Sequence, residues 1–195
     1  MRIDLTLFRA VALARVTDEP RPSYPAMNGV HVVSTPGRVL IAAGNRYRFF
    51  FGAMIQAPGT ETGSWVLAPE TVDALIADPS EFAKLDPAAG IFLSPVNLGH
   101  PLSTMIHPFP EWRKIVPDDF YSGKTHQDVL SLDARFIELL IQAHRVLVPE
   151  EVSPTVRIRQ HKGGEYVAAF SGVPEFGAIL AGMKPDGSIV IPKVK

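Results

Sequence analysis

The sequence contains no cysteine, which excludes a disulfide framework, a thiolate nucleophile and a cysteine-based zinc site. It also lacks any apolar run approaching the ~18 residues that a helix needs to cross a bilayer. Its first residues, Met1–Leu5, include an acid and do not form the apolar core of a signal peptide. We therefore expect a cytoplasmic protein with no membrane partner.

Neither sign of charge is in excess. The 19 lysines and arginines against 20 acids give a net charge of −1, so the surface as a whole does not indicate nucleic-acid binding. One locally basic face remains compatible with that balance. A length of 195 residues with 46% hydrophobic content is sufficient to bury the core of one large or two small domains.

Motifs for catalysis are missing as well. The pair Gly163-Gly164 lies in a predicted hairpin with no helix after it, which excludes a Rossmann or P-loop phosphate site there, and neither a zincin helix nor a nucleophile elbow is present. A metal site at His100 and His107, or an enzyme that uses these or His126, is a distant alternative. His144 lies on an apolar helix side, which favours a core histidine. We expect no enzyme, no cofactor and no metal.

The chain is instead rich in turn residues, with 18 prolines and 15 glycines that separate many short elements. A strand at Arg2–Leu5, a helix at Leu7–Val16 with Thr6 as its N-cap, and three strands form the first group. These strands are Val30–Ser34, Arg38–Ala43 and Arg46–Ile55, with a turn at Thr35-Pro36-Gly37.

The same order of elements recurs twice. The second group has a strand at Trp65–Ala68, a helix at Glu70–Ala77 with Val72, Leu75 and Ile76 inward, a loop at Asp78–Ala89, and candidate strands at Gly90–Ser94 and Leu102–His107. The third has a strand at Asp128–Leu132, a helix capped by Asp133 and ending near Val148, and strands at Val156–Gln160, Tyr166–Ser171, Ala178–Met183 and Ser188–Val194.

Three such modules indicate internal duplication and an α+β fold with antiparallel sheets that carry their helices on one face. We expect two modules in a domain at residues 1–117 and the third module at 126–195, joined by a linker.

Polar side chains gather on two of the predicted helices. On the third, Arg135, Glu138, Gln142 and Arg145 lie opposite a predicted buried stripe of Ile137, Leu140, Ile141, His144 and Leu147. That polar face could lie along phosphates or face water. On the first helix, Arg9 and Arg15 are roughly 120° apart and do not form one stripe.

Two further charged features are open to more than one interpretation. Arg21 is held between prolines, which favours a fixed phosphate contact, although a surface arginine in a turn fits equally well. The acids Glu70, Asp73 and Asp78 around the second helix favour a solvated helix face over a carboxylate pair for acid–base chemistry.

Four segments resemble the bacterial DNA sliding clamp, the β subunit of the replicative polymerase. They are the helix end and loop from Leu13 through "RPSYP" (Arg21–Pro25) to "NGVHV" (Asn28–Val32), "LIAAGNRYRF" (Leu40–Phe49), "FPEWRKIVP" (Phe109–Pro117) and "IVIPKVK" (Ile189–Lys195). The sequence departs from the family where Gly44 and Asn45 replace an aspartate and where Ile191 and Lys193 replace methionines. It also offers about three modules, whereas a bacterial clamp subunit has three domains of two.

The resemblance implies a ring with sheets outside and helices around a central hole, through which duplex DNA passes without sequence preference. It implies DNA contacts by Arg9, Arg15, Arg21, Arg135 and Arg145. It also implies a pocket for polymerase or clamp-loader peptides at Tyr47, Phe49, Ile191 and Pro192. Such a replication processivity factor would be a homo-oligomer, at least a dimer if the ring holds an even number of modules. The alternative is a clamp-fold adaptor that does not encircle DNA.

Overall fold

The computed structural model describes residues 1–17, 25–45, 50–57, 62–111, 134–149, 156–160, 166–170 and 173–180. Within these ranges the protein is built from antiparallel strands and three α-helices, which confirms the α+β class. The helices are α1 (Leu5–Ala12), α2 (Pro69–Ala77) and α3 (Ala134–Leu147), with a 3-10 turn at Pro25–Asn28. The strands are β1 (Arg2–Asp4), β2 (Val30–Thr35), β3 (Gly37–Gly44), β4 (Phe50–Ala57), β5 (Gly63–Leu67), β6 (Phe82–Asp86), β7 (Ile91–Leu93), β8 (Leu98–Pro101), β9 (Thr104–Met105), β10 (Val156–Gln160), β11 (Tyr166–Phe170) and β12 (Val173–Leu180).

Helix α1 begins earlier than the sequence predicts. The Asp4 carboxylate, not Thr6, is the N-cap, and it accepts hydrogen bonds from the amides of Thr6 (2.8 Å) and Leu7 (3.0 Å). An aspartate suits this position because its negative charge also faces the positive end of the helix dipole. The helix ends at Ala12, and the apolar side chain of Val16 is buried beyond it.

The predicted hairpin between β2 and β3 is confirmed. Its turn is tight because Gly37 adopts φ 79°, a left-handed conformation that favours glycine. Strand β4 then pairs with β3 along its whole length, from Gly37 opposite Ala57 to Gly44 opposite Phe50.

The predicted loop at Asp78–Ala89 is wrong, because it contains strand β6. Alternation explains the strand: Ala83 and Leu85 are buried, whereas the charged Lys84 between them is exposed. The predicted strand at Leu102–His107 is also displaced. Its place is taken by β8 before it and the two-residue β9 within it.

The first two modules exchange their first strands. Strand β1 of the first module pairs with β6, which gives a sheet of order β1-β6-β7-β8, and β5 of the second module pairs with β2. The smaller sheet therefore contains one strand of the first module, the larger sheet contains β5 and β9 of the second, and neither module completes its sheet alone.

The third module joins the first at a sheet edge. Strand β12 pairs with β4, from Phe176 opposite Ala53 to Ile179 opposite Phe50, so one sheet runs β10-β11-β12-β4-β3-β2-β5-β9. Helix α1 packs against both α2 and α3 on one face of this sheet. The predicted strands at 128–132 and 188–194, the cap Asp133, and the predicted boundary between residues 117 and 126 lie outside the described residues.

Candidate nucleic-acid interface

Arg9 of α1 is fastened to the carboxyl end of α2. Its Nε donates to the Ile76 carbonyl at 3.3 Å, and its Nη2 donates to the carbonyls of Ser80 at 3.0 Å and of Asp78. The last carbonyls of a helix have no partner within the helix and carry the negative end of its dipole, so a guanidinium suits them. A DNA phosphate would have to compete with these three acceptors for Arg9.

The loop that receives Arg9 is itself organised by Asp78. This carboxylate is 2% exposed and accepts hydrogen bonds from the Ser94 hydroxyl (2.6 Å), the Asn97 amide (2.6 Å) and the Ser80 backbone N–H (2.9 Å). Burial acts to raise the pKa of Asp78, but hydrogen bonds from Ser94, Ser80 and Asn97 outweigh it and hold the pKa well below its ordinary range.

For Asp78 the predicted solvated helix face is therefore wrong. The sequence did contain a signal for its role, because Asp-Pro-Ser directly after a helix is typical of a turn in which the aspartate accepts from the amide two residues on. Its partners Ser94 and Asn97 carry no comparable signal, since they are distant in sequence.

Arg15 lies just beyond the end of α1 and forms an ion pair with Asp73 of α2. The Arg15 side chain is 11% exposed and the Asp73 side chain 62% exposed, and Arg15 Nη1 is buried without a hydrogen-bond partner. Glu70 and Asp73 are exposed as a solvated face predicts. Ile76, predicted to face inward, is 37% exposed.

Helix α3 presents its arginines differently. Arg135, Glu138 and Arg145 are exposed, as the polar face predicts, and Gln142 donates to Glu138 Oε1 at 3.5 Å. Arg145 lies in the last turn of α3 itself, whereas Arg9 donates to carbonyls at the end of a neighbouring helix.

The buried stripe of α3 is partly wrong. His144 and Leu140 are buried as predicted, but Ile137 is 44% exposed and Ile141 is 38% exposed. Phe136 and Ala143 are buried in their place, because α1 lies beside α3 and shares a core with that side of the helix.

Several predicted site residues lie outside the described residues. They are the loop arginine Arg21 and the four pocket residues Tyr47, Phe49, Ile191 and Pro192. Among the described arginines, Arg9 and Arg15 belong to one helix and its extension, whereas Arg135 and Arg145 belong to its neighbour α3.

Two of the segments that carry the resemblance contact each other. The Phe109 ring of the third segment stacks on the His31 ring of the first, with centroids 5.0 Å apart. Phe109 also belongs to an apolar cluster with Ala26, Met27 and Val66. The glycine of "NGV" has a steric reason, because a Cβ at Gly29 would collide with the Leu67 carbonyl oxygen and lie 3.0 Å from Val66 Cγ1.

The alternative of a histidine metal site gains no support from the part of the chain that the structure describes. No group of three or more potential metal ligands occurs in these residues. His100 instead stacks on Phe92, with centroids 4.8 Å apart. Within the same residues, no helix has the length and apolar character that a membrane crossing requires.

No family model matches the sequence, and no curated protein matches it either. Solved structures do match the fold. They include the β subunits of DNA polymerase III from Thermotoga maritima (TM-score 0.69, 11% identical, 94% of this chain and 65% of that chain) and from Pseudomonas aeruginosa (0.66, 8%, 94% and 66%). The β subunit from Borrelia burgdorferi, in complex with a natural product, matches with a TM-score of 0.67, 12% identity and coverage of 94% and 62%.

The protein thus has the sliding-clamp fold, and at this level the resemblance seen in the sequence is confirmed. It spans less than two thirds of the length of these β subunits.

Proposed function

We propose that this protein is a sliding-clamp-like processivity factor that encircles duplex DNA and tethers a polymerase to it, without catalysis of its own. The observation that carries this proposal is the β4–β12 junction. There the sheet continues from the first module into the third while α1 and α3 stay side by side on one face. Modules joined edge to edge in this manner can be continued into a ring with its helices toward the centre.

The phosphate contacts of such a ring come first from α3. Arg135 and Arg145 are exposed there, and exposed guanidinium groups on a helix that lines the hole can meet phosphates without sequence preference. Arg21 joins them if its proline-held loop lies at the hole. Arg9 and Arg15 take part only if they leave the carbonyls and the carboxylate that now hold them.

The tethering function rests on the proposed pocket at Tyr47, Phe49, Ile191 and Pro192. Aromatic and aliphatic side chains from two separate segments are suited to anchor the apolar residues of a short peptide. A polymerase or a clamp loader would supply that peptide.

Oligomerisation is supported by the edge of the smaller sheet. Strand β8 is its last strand among the described residues, and all four of its residues are exposed, with Leu98 at 92%. An exposed strand edge offers unpaired N–H and C=O groups to another chain. We therefore propose that the ring forms from several copies of this protein.

The test is retention on DNA of different topology. The protein is assembled on a nicked circular plasmid and on the same plasmid after linearisation, and both are passed over a sizing column. A ring predicts retention on the circle and loss from the linear form, where it slides off the ends. Equal retention on both, or none on either, would contradict the proposal.

A second function, a clamp-fold adaptor that does not encircle DNA, is favoured by one observation. The exposed face of α2 carries the acids Glu70 and Asp73, and both arginines of the neighbouring α1 region are already engaged. Such a face offers little to a phosphate. An adaptor predicts that clamp-binding peptides change fluorescence polarisation when the protein is added, although no DNA is retained.

A further inference from the structure

The helices α2, α1 and α3 form a row, because α1 packs against both of the others. The pair α2 and α1 belongs to the two modules that exchange strands, and the pair α1 and α3 lies at the β4–β12 junction. Among the described helices, α1 lies between two others, whereas α3 packs closely against α1 alone.

The two sides of α3 differ in burial. On one side, Leu139 and Val146 pack against the large apolar core. On the other side, Ile137 and Ile141 are 44% and 38% exposed and lie one helical turn apart. Two large aliphatic side chains adjacent on one helix flank form an apolar strip, which we call the α3 strip.

The charged residues beside the α3 strip have opposite signs and could pair with those of a second copy. Glu138 stands three residues before Ile141, and Arg145 stands four residues after it, both exposed. If two such helices packed antiparallel with their Ile141 residues at the crossing, Glu138 of each would face Arg145 of the other. This arrangement has two-fold symmetry, which is the commonest symmetry of homodimers.

We propose that the α3 strip is a self-association surface on which the α3 helix of a second copy of this chain packs antiparallel. Two third modules would then form, between chains, the two-module arrangement that α1 and α2 form within one chain. The proposal rests on the proposed function for its purpose in a ring, where Arg145 would pair with Glu138 of the second copy and would contact phosphate only if that pair opened.

The absence of native cysteine allows a direct test by cross-linking. Ile141→Cys places a single thiol at the proposed two-fold axis, where its copy would lie within reach of a disulfide. Ile76→Cys is the matched control, since Ile76 is a similarly exposed isoleucine (37%) on α2. Mild oxidation of each full-length variant, free of DNA, should give a disulfide dimer with Ile141→Cys and monomer with Ile76→Cys.

Charge exchange at the seam provides a second, independent measurement. Glu138→Arg and Arg145→Glu should each weaken the dimer about tenfold in sedimentation experiments, because each places like charges together. The double variant restores opposite charges with their positions exchanged, and its dimer should return to within about threefold of the original. Circular dichroism of each variant verifies that α3 still folds.

The inference is overturned if Ile141→Cys gives no more dimer than Ile76→Cys, or if the double variant stays as weak as the single ones. The first of these results is expected if another segment or another protein covers the α3 strip. A symmetric dimer that is not retained on circular DNA supports the inference and contradicts the proposed function. Retention on circular DNA without cross-linking at residue 141 supports the proposed function and contradicts the inference.

Discussion

Arginine side chains have different surroundings in two regions of the molecule, the helix pair α1–α2 and the helix α3. In the first region Arg9 donates to carbonyls at the end of α2, and Arg15 pairs with Asp73, so both guanidinium groups serve the joint between two helices. On α3, Arg135 and Arg145 project from an exposed face.

The difference follows from what lies next to each helix. No residue of α1 is exposed, because α1 has α2 on one side and α3 on the other. An arginine on such a helix reaches the nearest acceptors, which here are the carbonyl of Ile76 in α2 and the carbonyls of Asp78 and Ser80 just beyond it. An arginine count along a predicted lining helix is thus a poor measure of its capacity for phosphate, and the accessible guanidinium groups are what matter.

The largest expected effect on stability comes from Asp78, the carboxylate that organises the loop to which Arg9 donates. Asp78→Ala leaves the Ser94 hydroxyl, the Asn97 amide and the Ser80 N–H without their acceptor, and we expect the free energy of unfolding to fall by about 3 kcal/mol. Urea unfolding at neutral pH measures this. Glu70→Ala, an exposed acid on the same helix, should change it by less than about 0.5 kcal/mol.

The same carboxylate predicts a pH dependence. Because the pKa of Asp78 is lower in the folded than in the unfolded protein, its stabilising contribution is complete above the ordinary carboxyl value of about 4 and is lost as the pH falls below that value. The stability difference between the native protein and Asp78→Ala should therefore shrink between about pH 4 and pH 2. A difference that stays constant would show that the carboxylate does not carry the effect.

The next largest expected effect on stability comes from Arg9 itself. Arg9→Ala removes donors to three carbonyls, so we expect a loss of about 2 kcal/mol in the free energy of unfolding. Arg145→Ala, on the exposed face of α3, should stay within about 0.5 kcal/mol. If Arg9→Ala kept its stability and lost only affinity for DNA, Arg9 would be a phosphate contact, and the proposed difference between the two regions would be wrong.

A smaller effect, on affinity alone, should come from α3. If Arg135 contacts one phosphate, Arg135→Ala should lower DNA affinity several-fold and reduce the slope of log K against log salt by about 0.9. Fluorescence anisotropy with a duplex at several salt concentrations measures both. The control is Arg38→Ala. Arg38 is exposed on β3, and because Val39 and Ile41 of the same strand lie in the core with the helices, Arg38 is on the opposite face of the sheet. If both variants weaken binding equally, only net charge matters.

The smallest effect tests whether Arg15 can be released. Asp73→Asn removes its partner and should raise DNA affinity about two- to threefold, at a cost of less than about 1 kcal/mol because the carboxylate is mostly exposed. Glu70→Gln makes the same change of charge on α2 without freeing an arginine. An equal gain in both would exclude Arg15 as a phosphate contact.

Alternation and turn residues were sufficient to predict most elements of the fold. The β2–β3 hairpin and the repeated strand–helix–strand order are visible in the apolar pattern and in Pro36-Gly37. Strand β6 was not predicted, because only Ala83 and Leu85 of its five residues are buried and charged residues lie beside them. A short strand of this kind is recognised only when its partners β1 and β7 are known.

The candidate site was harder to predict, because its geometry is set between elements. The type and exposure of Arg135 and Arg145 follow from helical spacing along α3. The engagement of Arg9 does not, because its acceptors are backbone carbonyls more than sixty residues away. Ile137 and Ile141 were assigned to the core for the same reason, since a helical stripe does not reveal which of its sides a neighbour covers.

The strand exchange between the first two modules has a consequence for how the protein is made. Ile3 pairs with Ala83, so β1 has no partner strand until about eighty further residues have been translated. Contacts between such distant residues form slowly, because a long loop must close first. Strand β1 is therefore expected to pair late, and it joins the two modules only once both have been translated.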